Sequence, residues 1–298
     1  MKRSERTLCV SLAVFFLLLP TVALSAPHYA TAPGMPRIAY SDSGAGGVPV
    51  LLVHGWSCDG SFWSRQTEAL SKHHRVIVMD LPGHGQSSAP RIAYSRDLFV
   101  DSVSLVLDRL RITRAVLVGH SLGWDVVRAF ALRSPERVAA LVNVDGAYCR
   151  VPRTPEERAA LEKLFAGFGA PFADTNPESI DKARASFIDM LFAQETPEPM
   201  RNWIRSRMSA TPPHVARSAM LEFLRLERWT DARPVQVPTL AVYAEFTARQ
   251  ELPGHREYLR ALNPELEYEE WPGSGHFVMT EDADRLNRRL LAFLESIR

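Results

Sequence analysis

Ala115-Val116-Leu117-Val118-Gly119-His120-Ser121-Leu122-Gly123 decides how this chain is read. Four apolar residues run into a G-x-S-x-G pattern, and helical spacing follows over residues 122–132. Strand, sharp turn, helix is the order in which a serine is lifted above the edge of a sheet. The requirement is steric. A turn this tight holds the serine in strained backbone geometry, and side chains two positions either side would collide, so glycine is needed at both. The helix that opens after it favours developing negative charge at its N-terminus. The pattern occurs once in the chain, which makes Ser121 the candidate nucleophile.

The flanking sequence repeats the strand-then-helix rhythm. Apolar runs at 38–43, 48–53, 75–79, 115–118, 138–144 and 239–243, with a weaker one at 266–271, are bounded by glycine or polar residues, as in strands buried on both faces. Helical spacing occupies 62–70, 97–110, 122–132, 256–262 and 284–297. The alternation predicts an α/β fold with a mostly parallel, doubly wound sheet. The Asp42–Gly47 stretch lacks dinucleotide-loop spacing and is read as a hairpin loop. Residues 150–233 break the rhythm. They are dense in proline, with helical patterns at 156–165, 178–192, 200–208 and 215–229 and no strand pattern. The division expected is a core in two parts, 27–149 and 234–298, separated by a helical cap over 150–233.

At 298 residues, with 46% apolar and 23% charged residues, the chain can bury a large core without disulfides or metals. Lys plus Arg is 35 against 34 for Asp plus Glu, with no basic run, which argues against nucleic acid as a partner. The first 26 residues read as a signal peptide. Lys2, Arg3 and Arg6 precede an apolar run from Leu8 to Leu19, and Ala26 closes a small-residue cleavage pattern. Twelve residues fall short of the roughly 20 that span a bilayer. The expectation is an exported protein, periplasmic or secreted, with no membrane span after cleavage. Cys58 and Cys149 then remain, and both are read as free thiols because the strands that carry them should be separated by the nucleophile strand.

A serine needs a base and an orienting acid. Among nine histidines, His276 has the favourable place: Gly273-Ser274-Gly275-His276-Phe277 lies between the last strand run and the final helix, where α/β sites are built. The oxyanion needs two backbone donors. One is the N–H of Leu122. The other is assigned to Trp56, in the His54-Gly55-Trp56 loop after the first buried strand.

These pieces, in this order, resemble the α/β-hydrolase fold family, of the serine esterase and lipase type with an inserted cap. The resemblance rests on Val53-His54-Gly55-Trp56, the Asp80–Ser87 loop, Gly119-His120-Ser121-Leu122-Gly123, Val237-Pro238 and Gly275-His276-Phe277, and it covers about residues 36–297. It implies that His84, in the Asp80–Ser87 loop, is structural. Two departures stand out. The family usually carries its acid after the strand that follows the cap, and here Ala244-Glu245-Phe246-Thr247 puts a threonine in that slot. A minority of members place the acid one strand earlier, where this chain has Asp145. Asp145 is the expected acid and Glu245 the alternative. The second departure is Trp124, where a small residue is usual, and it is read as core packing.

The resemblance implies a serine hydrolase that cleaves a small-to-medium carboxylic ester, a small-molecule substrate, with no metal or organic cofactor. The alternatives are a C–C bond hydrolase, lactonase or amidase on the same three residues, and a non-catalytic binding protein on a hydrolase scaffold.

Overall fold

The computed structural model describes residues 27–146, 151–225, 227, 233–245, 247 and 255–297. The signal-peptide segment, Cys149 and the end of the helix expected to reach 229 lie outside them.

Eight strands form one sheet: β1 (His28–Ala30), β2 (Ile38–Ser43), β3 (Val50–Val53), β4 (Val76–Met79), β5 (Ala115–His120), β6 (Val138–Val144), β7 (Thr239–Ala244) and β8 (Leu266–Trp271). Their order is β1-β2-β4-β3-β5-β6-β7-β8. β1 and β2 are antiparallel to their neighbours, and from β4 to β8 every pair is parallel. Every residue of β3, β4, β5, β6 and β7 is buried, because helices cover both faces of a parallel sheet. The edge strand β8 carries Glu267, Glu269 and Glu270, charge that blunts an open edge. β1 has no counterpart in the sequence reading; three residues are too few for a pattern.

The hairpin expected at Asp42–Gly47 does not form. β2 pairs with β4, which lies between β2 and β3, so the turn is a connection that skips a strand. It is tied down from the side. Arg75 makes two hydrogen bonds to Asp42, at 3.0 and 2.7 Å, and donates its backbone N–H to Gly46 O. A glycine cluster reports that the chain must turn, and does not say which strand it meets next.

The helices are α1 (Ser64–Leu70), α2 (Arg96–Arg109), α3 (Leu122–Arg133), α4 (Pro155–Gly169), α5 (Pro177–Asp189), α6 (Glu198–Ser209), α7 (Pro213–Phe223), α8 (His255–Leu262), α9 (Val278–Glu281) and α10 (Ala283–Ser296). Proline starts α4, α5 and α7 near the first position, where its missing N–H costs nothing, and Thr154 and Asn176 side chains cap α4 and α5. Between β6 and β7 the described chain contains only helical elements and loops. Within the described residues, no helix is long and apolar enough to cross a membrane.

Register places the functional ends together. Val53 pairs with Gly119, Gly119 with Asn143, and Val144 with Val242. The residues that follow these strands, His54, Ser121, Asp145 and Glu245, therefore leave the sheet at one edge.

Candidate active site

Ser121 joins β5 to α3 with φ 52° and ψ −118°, a conformation that a non-glycine residue holds only under constraint. The constraint is visible around it. A side chain at Gly119 would lie 2.5 Å from the Gly123 backbone, and one at Gly123 would run into the Val53 and His54 carbonyls. Gly119 is thus required by the close return of the turn onto the first residues of α3, and Gly123 by close packing against the end of β3. Ser121 is partly exposed, and its hydroxyl makes no hydrogen bond among the described residues.

Asp145 repeats the device one strand over. It leaves β6 with φ 50° and is fully buried. Its turn is clasped by Asn143, whose side chain accepts from Gly146 N at 2.6 Å and donates to Gly146 O at 2.9 Å. Trp124 lies on the other side: a side chain at Gly146 would meet its Cβ and Cγ. Trp124 is therefore core, as expected, and it fills the space beside the Asp145 turn. Asp145 Oδ1 accepts from Ala244 N at 2.7 Å, and Oδ2 accepts from Thr247 Oγ1 at 2.9 Å and from His276 Nδ1 at 2.6 Å.

The acid on His276 is thus Asp145. Glu245 points elsewhere: its carboxylate accepts from Gly273 N at 2.8 Å and steadies the glycine loop before His276. A carboxylate only accepts, so His276 Nδ1 carries the proton and Nε2 keeps its lone pair. The His276 backbone is held on both sides. Its N–H donates to Leu191 O at 3.0 Å, and its carbonyl accepts from His120 Nε2 at 2.9 Å.

His120 is therefore the neutral tautomer with its proton on Nε2, and Nδ1 is buried without a partner among the described residues. Burial holds its pKa well below that of a free imidazole, with neighbouring His276 and His54 adding to the effect. His54 is also neutral. Its Nε2 accepts from Leu81 N at 2.9 Å, so Nδ1 donates to Gly55 O at 2.8 Å. Burial lowers its pKa more than Asp80 raises it. His84 is buried, donates to Pro82 O and is held down to about 3 by desolvation, which fits its structural assignment. Near His276, Glu281 accepts from Thr196 Oγ1 at 2.6 Å, and burial pushes its carboxyl up.

The loop after β3 approaches Ser121 closely. A side chain at Gly55 would lie 3.1 Å from Ser121 Cβ and 2.7 Å from His120 Nδ1. Beyond it, the Trp56 indole donates to Ala216 O at 2.8 Å and packs perpendicular to the rings of Phe172 and Phe187. Leu122 is the first residue of α3, so its N–H has no acceptor within the helix. Among the described residues neither the Trp56 backbone N–H nor the Leu122 backbone N–H has a hydrogen-bond partner. Cys58 is a buried free thiol with its pKa pushed well up by burial, an inert group beside the loop.

The sequence pattern of the alpha/beta hydrolase fold family matches residues 48–283, from β3 past α9. The chain belongs to the alpha/beta hydrolase fold family. Hydrolases stand among its relatives, beside a non-heme haloperoxidase of Rhodococcus erythropolis that is 27% identical over 274 residues, 90% of this chain and 99% of that protein. A pimeloyl-[acyl-carrier protein] methyl ester esterase of Aeromonas hydrophila is 30% identical over 200 residues, 66% of this chain and 76% of that protein. A 2-hydroxy-6-oxononadienedioate/2-hydroxy-6-oxononatrienedioate hydrolase of Paraburkholderia phymatum is 29% identical over 271 residues, 87% of this chain and 91% of the other. Among solved structures, a thermophilic esterase from Thermogutta terrifontis superposes with a TM-score of 0.75 at 26% identity, covering 91% of this chain and 98% of that one. The alpha/beta hydrolase described here is accordingly an enzyme, with both esterases and a hydrolase of another substrate class among its relatives.

Asp145 was reachable from the sequence by its position at a strand end. Thr247, Asn143 and His120 were not assigned roles there. Their contacts join residues 102, 3 and 156 positions apart, and only the Asn143–Gly146 contact is local.

Proposed function

We propose that this alpha/beta hydrolase is an exported, periplasmic or secreted, serine hydrolase that cleaves a small-to-medium carboxylic ester through an acyl-enzyme on Ser121. The observation that carries the reading is the 2.6 Å bond from His276 Nδ1 to the buried Asp145, at the same sheet edge as the Ser121 turn. Ser121 Oγ attacks the ester carbonyl and gives its proton to His276 Nε2. Asp145 holds the ring and stabilises the imidazolium. The tetrahedral oxyanion is taken by the two N–H groups of Trp56 and Leu122. Collapse expels the alcohol, which leaves with the proton from His276. Water then gives a proton to His276 and attacks the acyl carbon, and the acid departs as Ser121 regains its proton.

The helical segment over 150–233 serves as the cap. Phe172 and Phe187, packed on Trp56, put apolar surface beside the oxyanion loop, which favours a hydrophobic acyl or alcohol group. Export rests on the leader-like first 26 residues.

The test is hydrolysis of a p-nitrophenyl ester series, C2 to C12, by the protein and three variants. Ser121→Ala should lose at least ~10³-fold in kcat, and Asp145→Asn a comparable amount, because the amide favours the wrong imidazole tautomer. Glu245→Gln should stay within about tenfold of the parent, since its partner is a loop amide. Full activity in Ser121→Ala would sink the mechanism. A parent that cleaves none of the series turns the reading to a C–C, lactone or amide bond.

A further inference from the structure

We infer that Thr247 is a positioning residue for Asp145: its hydroxyl fixes the carboxylate and tempers its grip on His276. The inference rests on the reading above, in which Asp145 orients the base. The family resemblance makes position 247 the usual seat of the acid itself. Here a neutral donor sits there and serves a carboxylate that arrives from the neighbouring strand.

The geometry is specific. Thr247 Oγ1 donates to Oδ2 at 2.9 Å, the oxygen that also takes His276 Nδ1 at 2.6 Å, while Oδ1 is occupied by Ala244 N–H. An ionised carboxylate can only accept, so the hydroxyl is committed as a donor. Asp145 is fully buried and Thr247 nearly so. Water is not at hand to replace a lost donor, and hydrogen bonds to buried charge are the strong ones.

Two effects follow. Three donors on two oxygens leave the carboxylate one orientation, and with it the imidazole. Sharing Oδ2 between two donors also divides the charge that the oxygen offers to the imidazolium. The other titratable neighbours of His276 are His120, neutral and bonded to its carbonyl, and Glu281, buried beside the preceding glycine. Neither is hydrogen-bonded to Thr247 among the described residues, so a change at 247 leaves their bonds in place.

The experiment compares Thr247→Val, of nearly the same shape, with Thr247→Ser, which keeps the hydroxyl; Thr247→Ala replaces the valine variant if that one does not fold. Loss of the hydroxyl should lower kcat about tenfold with KM unchanged, since Thr247 does not meet the substrate. Thr247→Ser should return kcat to near the parent value, since it restores the donor. The low-field Nδ1–H resonance of His276, read by proton NMR without substrate, should shift in the valine or alanine variant and keep its place in the serine variant. Parent values of kcat and resonance in the hydroxyl-free variant would overturn the inference. Failure of the underlying reading looks different: there Asp145→Asn itself would keep full activity.

Discussion

At Gly55 one methyl group is a test of how close the oxyanion loop must come. Gly55→Ala would place carbon 2.7 Å from His120 Nδ1 and 3.1 Å from Ser121 Cβ, and neither neighbour can yield, one being buried and the other strained. Activity should fall about 10²-fold as the Trp56 N–H moves off the oxyanion, with a stability loss of roughly 1–3 kcal/mol from overpacking. Gly273→Ala is the matched control. Its added carbon meets nothing within 4 Å, but its φ of 83° disfavours a side chain, so a loss of about 1 kcal/mol with near-normal kcat is expected. Ester kinetics and thermal melts separate the two. At this scale the sequence was informative wherever steric need forces a residue type. Gly119, Ser121 and Gly123 announce a turn that no other residues satisfy. Thr247 announces only that the usual acid is missing and nothing of its own bond, because a hydroxyl suits any surface and its partner lies 102 residues away.

Among elements, those most legible in the sequence were the strands buried on both faces, because a parallel sheet imposes a continuous apolar run. Strand order was less legible, as the skipped turn at Asp42–Gly47 shows: β4 inserts between β2 and β3 through contacts no local pattern encodes. The helices between β6 and β7 pack into the main apolar core, with Phe172, Ile188, Ile204, Met208 and Val215 buried in it, and polar contacts add to that packing. Thr211 Oγ1 donates to Ser57 O at 3.1 Å, Arg207 pairs with Asp59 at 2.5 Å, and Trp56 reaches Ala216 O. Thr211→Val removes a buried donor from the oxyanion loop and should cost about 1–2 kcal/mol, concentrated where that bond sits. Hydrogen exchange should then quicken in α6 and α7 while β5 and β6 keep their protection. Uniform quickening throughout the sheet would mean that these helices unfold only with the whole molecule.

For the whole molecule, buried neutral imidazoles set the response to acid. His54, His84 and His120 all have pKa values below 6.5, each chiefly through desolvation. Unfolding frees them to take protons, so the unfolded chain binds more protons than the native one below about pH 6.5. Stability is fully present above that pH and falls as acid is added, by up to about 1.4 kcal/mol per pH unit for each such histidine. Asp80 and Glu281, whose carboxyls are pushed up by burial, work the other way and offset part of the slope. Thermal melts from pH 8 to pH 4 should show a plateau and then a decline that steepens below about 6.5. His84→Gln should soften that decline if it folds, and an unchanged slope would remove His84 from the account.

Asp145 occupies an unusual seam. It is the first residue beyond β6, and its backbone N–H donates to Val242 O while its side chain accepts from Ala244 N, both on the strand to which the chain returns after its helical excursion. The carboxylate is therefore a clasp across the mouth of the excursion, closing the two ends on each other before any helix is considered. An insert held this way is interchangeable in principle, like a lens in a fixed mount. Its contents can be altered while Asp145 keeps its seat on the rim, provided that a carbonyl stands where Leu191 O holds the His276 N–H. Grafting a different helical segment that keeps that carbonyl and the Ala216 O acceptor of the Trp56 indole should therefore change which molecules enter without disturbing the pair that acts on them.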